Sequence, residues 1–135
     1  MAKRRRGSRH SPRPRVHVGF ERLVERALAG IPSPFRESLH EVAIVIDDEP
    51  TARQLDENDL GPDDTLYGLY EGVPRTEYAA DWAAMPNRIT LFRLPLEEDF
   101  PDPDALAEEV RVTVIHELAH HLGIDEQRLG ELGVD

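Results

Sequence analysis

Apolar residues first recur at helical spacing at Phe20, Leu23, Val24, Ala27 and Leu28, which predicts a helix with one buried face, ended by Gly30. Pro32 and Pro34 then make a rigid turn, and a short helical piece is expected from Pro34 to His40. Val42 to Ile46 is a continuous apolar run with β-branched residues, closed by Asp47, Asp48 and Glu49, which is the pattern of a buried strand. The stretch from Pro50 to Asp64 is acidic and interrupted by Gly61 and Pro62, so it reads as a loop. Leu66 to Glu71 resembles a second strand, followed by a turn at Gly72, Val73 and Pro74. No period is clear between Arg75 and Asn87, where Trp82 and Met85 either pack locally or line a groove. Arg88 to Arg93 alternates as a half-buried strand should.

The last third holds the longest periodic segment. Asp102, Pro103 and Asp104 suit a helix start: an acid able to cap, proline at the first helical position, and negative charge near the positive end of the helix dipole. Val110, Val112, Thr113, Val114 and Ile115 would suit a strand equally well. The histidines that follow decide for a helix.

Charge divides the chain. The formal net charge is −11 over 135 residues, yet residues 1–15 carry seven Lys and Arg and no acid, which leaves −18 on the remainder. The pattern therefore separates a basic tail, residues 1–18, expected to be disordered, from one domain over residues 19–135, a length suited to a single core. An acidic body repels a phosphate backbone, so nucleic acid binding, if any, falls to the tail. The absence of cysteine excludes disulfides, thiolate chemistry and Cys-ligated zinc. No apolar run has the form of a signal peptide or a membrane span, so a cytoplasmic location is the default expectation.

His116, Glu117, Leu118, Ala119 and His120 form an HExxH motif. On a helix the two histidines lie about 40° apart, so both rings can reach one metal ion, while Val114 and Leu118 lie about 160° from His116 and point to the core. Glu117 can reach a metal-bound water without taking a coordination position; zinc lowers the pKa of that water to about 7, and the carboxylate takes its proton. This is the chemistry of peptide hydrolysis. Third-ligand candidates downstream are Asp125, Glu126, Glu131 and Asp135, since the 15 residues after His120 leave no room for a long second helix. Gly123 permits a sharp reversal, and Glu126, ten residues past His116, has the favoured spacing, with Asp125 the alternative. By the chain's own frequencies, a chance H-acid-x-x-H arises with a probability of about 5%; adding Gly123 and the acid at 126 lowers this to about 0.07%, so the extended pattern carries the assignment. His121 points about 100° away from His120 and is read as a structural or supporting residue. The strand from Arg88 to Arg93 could be the edge on which an extended substrate pairs, or an ordinary core strand.

From His116 to Leu129 the sequence HELAHHLGIDEQRL resembles the small bacterial zincin-like metallopeptidases, and so do LYGLYEGVPR from Leu66 to Arg75 and MPNRITLFR from Met85 to Arg93. The resemblance implies a compact α/β (α+β) domain, with a small mixed sheet of about three strands packed against an active-site helix and an N-terminal helix. It also implies a zinc-dependent protease, that is, a hydrolase of peptide or protein substrates. His116 and His120 would be zinc ligands, Glu117 the catalytic base and position 126 an acidic third ligand; the family expectation there is aspartate, one methylene shorter than Glu126. Bacterial rRNA-maturation endoribonucleases have similar spacing, with a histidine at the position of Glu126 and no glutamate after the first histidine. A ribonuclease, or a non-catalytic module in which zinc only braces a small fold, is the alternative.

Overall fold

The computed structural model describes residues 2–5, 18–72 and 87–133. Its elements in chain order are β1 (Ala2–Arg5), α1 (Val18–Ala29), α2 (Phe35–Ser38) with a 3-10 turn (Leu39–Glu41), β2 (Ala43–Asp47), α3 (Ala52–Glu57), β3 (Asp64–Glu71), β4 (Arg88–Phe92), α4 (Arg93–Asp99), α5 (Pro103–Leu122) and α6 (Glu126–Leu132). The sheet has the order β1-β3-β4-β2, with β2 parallel to β4 and the other pairs antiparallel. The domain is therefore mixed α/β. The three strands expected from the pattern are present, and Ala2–Arg5 adds a fourth on the outer edge of β3. The start of the basic tail thus joins the sheet instead of lying free. Residues 6–17, the rest of that expected disordered tail, lie outside the described residues, as do Trp82, Met85 and the turn at Val73 and Pro74.

One core lies between the sheet and the helices α1 and α5. Phe20, Val24 and Ala27 of α1 meet Val110, Val114, Ile115 and Leu118 of α5 over Tyr70, Ile89 and Leu91 of the sheet. A smaller cluster of Leu66, Leu69 and Phe92, with Leu55 and Leu60 against it, covers the opposite face. Cover on both faces explains a departure from the sequence pattern: β4 lies inside the sheet, and Ile89, Thr90, Leu91 and Phe92 are all buried, not alternately exposed. Conversely, the apolar run of β2 is only half-buried, because β2 is the sheet's outermost strand on its side.

Two helices stand where the pattern suggested a loop and a strand end. α3 begins with a capping box, Thr51 Oγ1 accepting from the Gln54 N–H at 3.0 Å while the Gln54 side chain accepts from the Thr51 N–H at 2.9 Å. That T-x-x-Q signal was legible in the sequence. α4 begins at Arg93, which is buried and pairs with Asp48 at 2.9 Å and Glu97 at 2.7 Å.

The long helix α5 starts where expected. Asp102 caps it by accepting from the Ala105 N–H at 3.0 Å, with Pro103 as first residue. It ends at Gly123, whose φ of 75° is left-handed, and the Ile124 N–H returns to the Ala119 carbonyl at 2.8 Å. β3 approaches α5 so closely that a Cβ on Gly68 would lie 2.6 Å from Thr113 Cγ2. No helix among the described residues is long and apolar enough to cross a membrane.

Candidate metal centre

α5 presents His116 and His120 one turn apart, as the spacing requires, and Val114 and Leu118 are fully buried on its other side. Both histidines line a cleft of about 280 Å³ whose remaining walls are Ile124, Asp125, Glu126 and Leu129. Gly123 builds this cleft: its reversal folds α6 back past the last turn of α5, so that chain-adjacent residues become facing walls. His116 is half-buried, and its Nε2 is buried with no hydrogen-bond partner among the described residues. A buried ring nitrogen left unsatisfied costs about 1–3 kcal/mol. An ion accepting its lone pair would remove that cost, so the donor set of two imidazoles and a nearby carboxylate suits zinc.

The two candidate third ligands are differently employed. Asp125 caps α6, its Oδ1 accepting from the Arg128 N–H at 2.9 Å. Glu126, the first residue of α6, is exposed and makes no hydrogen bond or ion pair among the described residues. Of the other candidates, Glu131 pairs with Arg128 at 3.0 Å and does not line the cleft, and Asp135 lies outside the described residues. The described residues contain no group of three His, Asp or Glu already drawn together around one point; the histidines and Glu126 share a cleft without converging.

Glu117 is fully buried and does not line the cleft. Its Oε1 accepts from the backbone N–H of Tyr70, near the end of β3, at 2.9 Å. His121 is also fully buried; its Nδ1 is 3.0 Å from the Tyr70 hydroxyl and its Nε2 is 2.7 Å from Glu41 Oε1. Its reading as a structural residue agrees with this geometry. Tyr70 and Glu41 were missed from the sequence: they stand 51 and 80 residues from His121, and no local pattern links them. Glu109 was missed too, although a signal existed. Glu109, Thr113, His116 and His120 follow at helical spacing on one stripe of α5. Burial raises the Glu109 carboxyl above the usual carboxylate range, outweighing the Thr113 hydroxyl and the nearby His116, which act in the other direction.

The strand from Arg88 to Arg93 is not a docking edge. β4 pairs with β3 on one side and β2 on the other, so its backbone groups are already engaged and an extended peptide cannot add there.

A histidine pair one turn apart on a helix that backs onto a small mixed sheet, with a glutamate between them tied to that sheet, is the layout of a metallohydrolase of the zincin type. Residues 39–134 match the model of the zincin-like metallopeptidase family, and the chain belongs to that family. No curated relative matches the chain.

Proposed function

We propose that the protein is a zinc-dependent peptidase in which His116, His120 and Glu126 hold the ion and Glu117 acts as general base. The observation that carries this reading is the buried Nε2 of His116, unpartnered among the described residues and set in a cleft that His120 and Glu126 share. Glu126 is favoured over Asp125 because its carboxylate has no competing duty among the described residues, whereas Asp125 already caps α6. When bound, zinc polarises a substrate carbonyl and makes water a stronger acid. With the ion held there, Glu117 would accept a proton from the attacking water as its oxygen bonds to the carbonyl carbon, and would deliver it to the amine nitrogen as the C–N bond breaks. Its hydrogen bond from Tyr70 holds one carboxylate oxygen still during both transfers.

Peptide and protein chains are the proposed substrates. The test compares wild type with Glu117→Gln, measuring zinc content and digestion of a peptide library. The variant is expected to keep its zinc and lose about 10²–10⁴-fold in kcat, the usual contribution of a general base. Undiminished digestion by Glu117→Gln, or no digestion by zinc-loaded wild type, would overturn the proposal.

A further inference from the structure

We propose that Tyr70 is a positioning residue for Glu117, clamped by a hydrogen-bonded chain that runs from the exposed Glu41 through the buried His121; the proposal rests on the peptidase reading above. Glu117 and His121 are four residues apart on α5, so they project from one face of the helix, toward β3. Both hold Tyr70. Glu117 takes its backbone N–H at 2.9 Å, and His121 holds its hydroxyl at 3.0 Å.

A carboxylate only accepts, so His121 Nε2–H donates to Glu41 Oε1, while His121 Nδ1 lies 3.0 Å from the Tyr70 hydroxyl. The Tyr70 O–H donates to Asn87 Oδ1 at 3.1 Å, so the phenol is held from a second side. The Tyr70 ring also packs against the rings of His120 and His121, with centroids 5.3 and 5.5 Å away. Tyr70 is the second-to-last residue of β3, paired with Ile89 of β4 on one side, whereas β1 reaches only Gly68 on the other. The clamp ties that end to the helical turn bearing the candidate metal histidines. The N–H of residue 70, and with it one oxygen of Glu117, is thereby fixed.

Tyr70→Phe removes the hydroxyl and keeps the ring and the backbone N–H. Two readouts are made on the full chain: amide hydrogen exchange at residue 70, which needs no activity, and kcat, KM and zinc affinity of the loaded protein. Exchange at residue 70 is expected to quicken at least tenfold, while exchange in β4 is unchanged. The kcat should fall about tenfold, with KM and zinc affinity within twofold of wild type. In a Glu117→Gln background, Tyr70→Phe should cause no further loss, because it acts through Glu117. Glu41→Ala should give the same pattern at smaller size, and Glu41→Gln, which keeps an acceptor for Nε2–H, should restore wild-type behaviour. Unchanged exchange at residue 70 would refute the clamp whether or not the protein cleaves peptides. Unchanged kcat, or zinc affinity falling in step with kcat, would refute the positioning role. Failure of the peptidase reading itself shows separately, as equal activity of wild type and Glu117→Gln.

Discussion

At the scale of single residues, the carboxylates around the cleft divide by what already holds them. Asp125 is a cap and Glu126 is not engaged by any of the described residues, so their alanine variants should separate two properties. Asp125→Ala is expected to cost about 1 kcal/mol of stability through the lost cap while zinc affinity stays within a few-fold. Glu126→Ala should leave stability nearly unchanged and weaken zinc binding at least tenfold. Chelator competition and thermal unfolding read both, and the reverse pattern would make Asp125 the third ligand. Glu109 supplies a pH dependence. Its folded-state pKa is raised, so the folded protein holds a proton more readily than the unfolded chain does, and stability falls as pH rises through the folded value. In metal-free protein, Glu109→Gln should therefore be more stable than wild type near pH 7, and that advantage should vanish below about pH 4, as equilibrium unfolding across pH would show.

At the scale of elements, the contact between α5 and β3 sets how the site is backed. Gly68 allows it, since any Cβ there meets Thr113. Gly68→Ala is expected to cost about 1–3 kcal/mol by overpacking, and adding Thr113→Ser, which deletes the clashing methyl, should recover part of that loss in denaturant unfolding. Most elements were legible at this scale: α1 from its apolar stripe, α5 from its cap and histidine spacing, and the left-handed turn at Gly123. α3 was also legible in Thr51 and Gln54 and was passed over for the acidity around it. α4 was not, because Arg93 reads as a strand's polar end until Asp48 and Glu97 neutralise it in three dimensions.

At the scale of the whole molecule, the core is small, so metal bound at the proposed site would make up a large part of stability. Zinc held by the folded state alone should add about 2.7 kcal/mol at a concentration a hundred times its dissociation constant. Calorimetry should show a raised unfolding temperature with zinc and its reversal with chelator; an unfolding temperature indifferent to zinc would argue against any site in the cleft. The family match over residues 39–134 encloses both walls of that cleft and the Tyr70 backing, so the portion that defines the family is also the portion that builds the site.

By itself the sequence determined what is local: the histidine spacing, the helix that carries it, the reversal at Gly123 and the acids just beyond. Each depends on residues within a turn or two of each other, where backbone geometry alone sets the outcome. Only the tertiary structure decided which strand lies inside the sheet, that Glu117 is gripped by a backbone N–H from β3, and that Glu41, His121 and Tyr70 form one hydrogen-bonded chain. Those facts join residues 41, 70 and 117–121, and such contacts follow from packing the sheet against α5, which no short window of sequence contains.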